Sequence, residues 1–116
     1  MAKSPDKEFC PHFQKAIELV GKRWSGTILR AIMYRPLRFS ELAVHITEIS
    51  DRSLSLRLKE LESEGLVKRS VEATQPVEVR YELTEKGRAL EAVITELERW
   101  AEDWVASPGR ARVRAR

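Results

Sequence analysis

The chain has 116 residues, of which 42% are hydrophobic and 34% are charged. This size and composition fit one globular domain and exclude a disordered or fibrous chain. Lys and Arg number 21 against 18 Asp and Glu, and the resulting formal charge of +3 is too small to identify a partner by itself.

Cysteine and histidine are scarce in this sequence. The single cysteine, Cys10, excludes an intramolecular disulfide, and with only two histidines the chain has too few ligands for a Cys/His zinc site. We therefore expect no metal and no cofactor. The polar N terminus and the lack of an apolar run of about 18 residues predict a soluble, cytoplasmic protein. We expect a flexible segment over residues 1–9, one domain over residues 10–106 and a basic, disordered tail over residues 107–116.

The first predicted helix covers residues 11–24, where apolar side chains recur on one stripe at Phe13, Ile17, Val20 and Trp24. Cys10 then falls at the N-cap and Pro11 at the first helical position, where a missing N–H costs nothing. Gly21 and Gly26 indicate a break before a second apolar helix, which runs through Met33 and stops before Pro36.

Two further helices are predicted close together, each opened by a serine N-cap. Ser40 lies between Phe39 and Val44, and Ser50 between Ile49 and Leu54, so each N-cap is flanked by a possible hydrophobic staple. A short turn joins the two helices, which is the spacing of a helix-turn-helix. The second helix is predicted to reach Glu64, with Gly65 as its C-cap. Its leucines at positions 54, 58 and 61 face inward, leaving outward Arg52, Leu56 and Lys59, flanked by Ser53 and Ser55.

Residues 66–72 and 77–83 read as two strands of a hairpin, with a loop containing Gln75 and Pro76 between them. Thr84 is predicted to N-cap a last helix of nearly six turns. Its broad apolar stripe is formed by Leu90, Val93, Ile94, Leu97, Trp100, Ala101, Trp104 and Val105.

Charge is distributed unevenly along the chain. Residues 21–60 carry eight basic and four acidic side chains, whereas residues 61–84 have a net charge of −2 and residues 85–106 a net charge of −3. The last ten residues contain four arginines and no acid. Such polarisation is typical of a protein that places one face on phosphates. The tail is either an arm that adds phosphate contacts or an end without a role.

Several short stretches also carry a family resemblance: residues 10–11, 17–24, 38–42, 49–50, 54–62, 65–67 and 81–87. In order and spacing they closely resemble the HxlR-type winged helix-turn-helix regulators, relatives of the MarR class. The resemblance covers roughly residues 10–104. It implies a mainly α member of the α+β class, with a two-stranded wing and with N- and C-terminal helices that form an obligate homodimer. It also implies a DNA-binding transcriptional regulator.

Under this interpretation the helix that follows Ser50 lies in the major groove, where the Arg52 guanidinium can meet both acceptors of a guanine. The alternative is a solvated amphipathic helix. The wing arginines either contact DNA or pair with Glu72, Glu78 or Glu82. We predict DNA contacts from Arg35, Arg38, Ser40, Arg52, Ser53, Ser55, Leu56, Lys59, Arg69, Gln75 and Arg80.

The last helix is too apolar along its length for a small domain to cover alone, so a second copy is the expected partner. The resemblance implies that the first helix also belongs to this interface. The alternative is that the stripe of the last helix packs wholly on its own domain. The predicted dimer face comprises Phe13, Ile17, Leu90, Val93, Ile94, Leu97, Trp100 and Trp104.

Cys10 is a candidate sensor. The positive end of a helix dipole favours the thiolate, which is the form that reacts with oxidants and electrophiles. Some members of the resembled family sense disulfide, quinone or aldehyde stress with a cysteine beside a proline at the matching place. The alternative is a small buried hydrophobe.

The expected function is that of a repressor that binds a two-fold operator in double-stranded DNA as a homodimer. No enzyme motif is visible in the sequence: there is no nucleophile elbow, no phosphate-binding glycine loop and no supported cluster of carboxylates or histidines. The alternatives are a winged-helix module that binds protein and a nonspecific nucleic-acid binder.

Overall fold

The structure is a computed structural model that describes residues 9–106. The predicted basic tail and all but the end of the predicted N-terminal segment lie outside these residues. The elements in chain order are α1 (Pro11–Val20), α2 (Ser25–Ala31), β1 (Leu37–Arg38), α3 (Phe39–His45), α4 (Asp51–Ser63), β2 (Val67–Glu72), β3 (Glu78–Leu83), α5 (Glu85–Arg88), α6 (Glu91–Ala101) and a π-helical turn (Glu102–Ala106).

The N-terminal cap of α1 is confirmed, but the predicted length of this helix is wrong. The Phe13 N–H donates to the Cys10 sulfur at 3.4 Å, and Pro11 occupies the first turn. The helix ends at Val20, and Gly21 is its C-cap, whose N–H donates the last helical hydrogen bond to the Ile17 carbonyl at 2.7 Å. The helix after this turn is also shorter than predicted, since it ends at Ala31.

The two predicted serine caps have different outcomes. Ser50 is the N-cap of α4, and its hydroxyl accepts a hydrogen bond from the Ser53 N–H at 3.1 Å. Ser40 is not a cap, because α3 begins one residue before it, at Phe39. The Glu41 carboxylate accepts a bond from the Arg38 N–H at 2.8 Å and so fixes an earlier start. The staple predicted around Ser40 is absent as well, since Val44 is 73% exposed.

The turn after α4 requires a glycine. The Leu66 N–H donates to the Leu61 carbonyl and the Gly65 N–H to the Glu62 carbonyl, at 2.9 and 3.0 Å, which is a Schellman motif. Gly65 has φ +78°, a backbone conformation that other residues adopt with strain. The predicted glycine stop of this helix is therefore confirmed, and the chain leaves it directly into β2.

The predicted hairpin is confirmed, and the structure adds a third strand. β2 and β3 pair antiparallel with Val67 opposite Leu83 and Glu72 opposite Glu78. The two-residue strand β1 pairs with the other edge of β3, with Leu37 opposite Tyr81, which gives the order β1-β3-β2. A strand of two residues has no alternation from which the sequence could predict it.

The predicted last helix is divided. The Thr84 hydroxyl accepts a bond from the Gly87 N–H at 3.1 Å and caps the short helix α5, after which the chain turns at residues 89–90 before α6. Ion pairing joins α6 to α2, because the Arg30 Nε donates to both carboxylate oxygens of Glu98, at 3.0 and 3.1 Å. These hydrogen bonds raise the pKa of Arg30.

The core lies between α2, α3, α4, the sheet and α6. The buried hydrophobic residues are Ile28, Leu29, Ile32, Met33, Leu37, Leu42, Ile46, Ile49, Leu54, Leu58, Leu61, Leu66, Val67, Leu83 and Ile94. Burial of these side chains supplies the main stabilising free energy of the fold.

No helix within residues 9–106 is long and apolar enough to cross a membrane.

Candidate nucleic-acid interface

Helix α4 presents the face that the sequence predicts. Three leucines fix its inward side in the core, so the opposite side is turned to solvent. Arg52 and Lys59 are exposed on this side, Leu56 is 47% exposed, and Ser53 and Ser55 are half-buried at its borders. The helix therefore offers a short polar and basic surface around one exposed leucine.

A cleft of about 330 Å³ separates α4 from the sheet and brings two predicted regions together. Ser55 and Lys59 line it from the helix, and Arg69 lines it from β2. Tyr81 of β3 also lines this cleft, although the sequence analysis assigned it only to a strand. Two cations and two hydroxyl groups therefore line one cleft, together with the carboxylate of Glu62.

Arg80 differs from Arg69 in its surroundings. Its Nε donates to Glu72 and its guanidinium also donates to Glu78, each at 2.7 Å. These hydrogen bonds raise the pKa of Arg80, with the bond to Glu72 contributing most. The alternative that a wing arginine pairs with neighbouring acids therefore applies to Arg80. Gln75 is exposed in the loop between the strands.

A second cleft of about 330 Å³ collects the basic residues that precede and begin α3. Arg35, Arg38 and Ser40 line it together with His45 and the carboxylate of Glu41. This carboxylate lies 3.9 Å from Arg35 and 3.6 Å from Arg38. The backbone hydrogen bond from Arg38 is the main cause of the lowered pKa of Glu41, so this acid offsets part of the positive charge at physiological pH.

The cations that lack an acidic partner are concentrated on α4 and β2. Within residues 9–106, Arg52, Lys59, Lys68 and Arg69 form no ion pair and no side-chain hydrogen bond. Arg23 and Lys86 form no ion pair either: Arg23 lies over the Trp24 ring, and the Lys86 Nζ donates to the Glu64 carbonyl at 2.7 Å. Sequence reasoning missed Lys68, because pairing between side chains cannot be read from a charge count. Four of the six described lysines and arginines that form no ion pair therefore lie on α4 and β2, and of these Lys68 stands opposite Glu82 in the sheet.

Comparison with known proteins agrees with this geometry. The family model described as HxlR-like helix-turn-helix matches residues 19–108. The chain belongs to the HxlR-like helix-turn-helix family. It is 44% identical over 98 residues to the uncharacterized HTH-type transcriptional regulator YvaP of Bacillus subtilis. The aligned region covers 84% of this chain and 91% of YvaP. It is also 47% identical over 100 residues to the HTH-type transcriptional regulator YodB of the same organism, covering 86% and 88%.

Solved structures of HxlR-like and related regulators share the fold. Reduced YodB from B. subtilis superposes with a TM-score of 0.75 at 46% identity, over 83% of this chain and 94% of that one. The redox regulator HypR in its oxidized form gives a TM-score of 0.75 at 34% identity, over 80% and 95%. YodB has also been solved after diamide treatment and with a bound quinone.

In this family member the apolar faces of α1 and α6 are uncovered. Every residue from 11 to 18 is exposed, including Phe13 at 65% and Ile17 at 48%. Ile94, which was assigned to the dimer face, belongs instead to the core of its own chain because α6 packs on α2 through it, and Leu90 packs against that core. The remaining members of the predicted face are exposed, namely Val93, Leu97, Trp100 and Trp104.

Cys10 is partly exposed at the N terminus of α1. Its sulfur accepts the Phe13 N–H, so the thiol lies against the first turn of the helix. No cluster of three potential metal ligands occurs among the His, Cys, Asp and Glu side chains of residues 9–106.

Proposed function

We propose that this HxlR-like regulator binds a two-fold operator in double-stranded DNA as a homodimer and represses transcription by occlusion. The observation that carries the proposal is the placement of Arg52, Lys59 and Arg69, which form no ion pair within residues 9–106 and lie on α4 and β2. Phosphates would supply the missing negative charge. Binding of this kind weakens as the salt concentration rises.

Base recognition is assigned to the N-terminal half of α4. Arg52 lies in its first turn, is exposed and is not held by any acid of the described chain, so its guanidinium is free to contact a guanine in the major groove. Lys59 lies two turns further along and faces the cleft shared with Arg69 and Tyr81. This end of the interface is suited to the DNA backbone, so α4 divides into a base-reading half and a phosphate-binding half.

The dimer is supported by the exposure of α1. An isolated helix of ten residues is only marginally stable in water, and α1 has no buried residue. A second copy would cover its apolar stripe together with the exposed side chains of α6. A two-fold dimer then presents two α4 helices, which predicts half-sites about one helical turn apart or a multiple of that distance.

Replacement of Arg52 tests the proposed reading of bases. On the operator recovered by selection from random duplex DNA, Arg52→Ala is expected to weaken binding of the dimer roughly 30-fold or more, because a bidentate contact to guanine contributes about 1–3 kcal/mol and the two-fold complex contains two of them. Affinity for a scrambled duplex should change little. Fluorescence anisotropy on both duplexes at one salt concentration measures the difference.

The matched control for this experiment is Arg99→Ala. It removes the same charge from the outer side of α6, where Arg99 pairs with Glu96 at 3.0 Å. Equal losses for the two variants on the operator would contradict the assignment of Arg52. Equal affinity of the unaltered protein for the operator and the scrambled duplex would favour a nonspecific nucleic-acid binder.

We further propose that oxidants or electrophiles regulate DNA binding through Cys10. Three observations support this: the thiol is partly exposed, it caps α1, and YodB has been solved in diamide-treated and quinone-bound forms. Because the chain has one cysteine, a disulfide would join Cys10 to a second copy or to a small thiol.

Cys10→Ser removes the reactive thiol but keeps a side chain that can cap α1. Serine caps a helix N terminus well, so the variant should fold and bind the operator like the unaltered protein. Diamide is expected to reduce operator binding of the unaltered protein and to leave the variant unaffected, as measured by gel shift before and after dithiothreitol. An equal response of both proteins to diamide would contradict sensing by Cys10.

A further inference from the structure

Helix α1 stands away from the recognition helix α4 across a cleft of about 340 Å³. Leu19 and Leu61 form an apolar part of its lining, and Ser25 lies buried beside them. The remaining lining side chains include charged groups from both helices. Most of α1 therefore does not pack on α4, and only Leu19 and Val20, at the C-terminal end of the helix, are half-buried.

Two ion pairs cross this cleft. The Lys22 Nζ lies 3.2 Å from a carboxylate oxygen of Glu60, and the Lys15 Nζ lies 3.9 Å from Glu64. Glu60 lies in the last turn of α4 and Glu64 is the C-cap of that helix, while the two lysines lie on α1 and on the turn that follows it. The shorter pair thus connects the turn after α1 with the C-terminal half of the recognition helix.

Glu60 is also held from its own helix. Its second carboxylate oxygen accepts a hydrogen bond from the Arg57 guanidinium. The bonds from Arg57 and then from Lys22 lower the pKa of Glu60, which keeps this carboxylate ionised at physiological pH. Arg57 is largely buried, and its Nε has no hydrogen-bond partner among the described residues, so Glu60 is the group that neutralises it.

The turn that carries Lys22 has little freedom of its own. Trp24 closes it with φ +75°, a left-handed conformation that is unusual for a bulky side chain. The Trp24 side chain packs against the core, so the far end of the turn is anchored. The direction in which α1 leaves the domain is therefore set by this turn and by the ion pairs across the cleft.

We infer that the Lys22–Glu60 pair is a positioning contact that fixes α1 relative to α4 and thereby sets the distance between the two recognition helices of the dimer. The inference rests on the proposed function, in which a second copy covers the apolar stripe of α1 and α4 lies in the major groove. A partly exposed ion pair shifts an equilibrium modestly, by about two- to five-fold. Because the pair does not alter the side chains with which each α4 contacts its own half-site, it would affect only the distance between the two half-sites that the dimer can bind.

Comparison of two duplexes tests the inference. One duplex contains the selected operator with both half-sites, and the other contains a single half-site. Lys22→Glu places a second negative charge beside Glu60 and is expected to weaken binding to the full operator by about two- to five-fold relative to a matched control. Binding to the single half-site should equal that of the control. Lys22→Arg, which keeps the charge, should restore full-operator binding.

The matched control is Arg99→Glu, which makes the same change of charge on the exposed side of α6, where Arg99 pairs with Glu96. Analytical ultracentrifugation accompanies both variants, and equal dimer fractions would exclude a trivial loss of assembly. Equal affinities of Lys22→Glu and Arg99→Glu for the full operator would overturn the inference. A protein without any two-fold sequence preference would instead contradict the proposed function, and the inference with it.

Discussion

Leu97→Glu and Trp100→Glu are each expected to convert the protein to a monomer at micromolar concentration and to abolish tight operator binding. Leu97 is 58% exposed and Trp100 is 56% exposed on the uncovered face of α6. Burial of one such side chain contributes about 1.5–3 kcal/mol, and a two-fold interface contains each residue twice. The dimer dissociation constant should therefore rise by about a hundred-fold or more.

Sedimentation velocity over a range of concentrations measures this change. Val71→Glu is the matched control, because Val71 is equally exposed at 63% but lies on the wing strand β2. The control should remain dimeric. Circular dichroism should show native helix content for the α6 variants, since neither side chain belongs to the core. If the α6 variants remain dimeric, the exposed face of α6 is not the dimer interface.

Gly87→Ala is expected to lower the stability of the fold. A Cβ at Gly87 would lie 2.2 Å from the carbonyl oxygen of Leu66 and 3.2 Å from the Leu83 side chain. Gly87 is buried where α5 packs on the start of β2, and a backbone carbonyl cannot move aside as a flexible side chain can. Crowding of this kind costs about 1–3 kcal/mol.

Thermal unfolding followed by circular dichroism should show a midpoint lowered by roughly 5–15 °C. Gly26→Ala provides the control, because its Cβ would lie 3.5 Å from the Val20 carbonyl oxygen, an ordinary contact distance. Alanine also favours a helix over glycine by about 1 kcal/mol, so this variant should be unchanged or slightly more stable. An equal midpoint for Gly87→Ala and the unaltered protein would show that the packing around α5 relaxes.

Features determined by neighbouring residues in the chain could be predicted from the sequence. Cys10 and Ser50 cap their helices through N–H groups three residues ahead, and Gly65 closes α4 by a local turn. The same reasoning was wrong at Ser40, because Arg38 and not Ser40 is the N-cap of α3. The Glu41 carboxylate reaches back to the Arg38 N–H, and this bond moves the helix start to Phe39.

Features determined by contacts between distant residues could not be predicted in this way. Ile94 lies within a continuous apolar stripe, and only the packing of α6 on α2 separates it from its exposed neighbours. The pairing of Arg80 with Glu72 depends on strand register, and so does the position of Lys68 opposite Glu82. The location of the candidate site on α4 and the wing could therefore be predicted from the sequence. The identity of the cations that form no ion pair could not.

Selection of bound sequences from random duplex DNA tests the central claim of a two-fold DNA-reading regulator most directly. The full chain is incubated with the library at moderate salt, and the recovered sequences are aligned after several rounds. We predict a palindromic consensus with half-sites about one helical turn apart or a multiple of that distance, and with a guanine within reach of Arg52 in each half-site. Recovery of no enriched sequence, or of an enriched sequence without two-fold symmetry, would contradict the account.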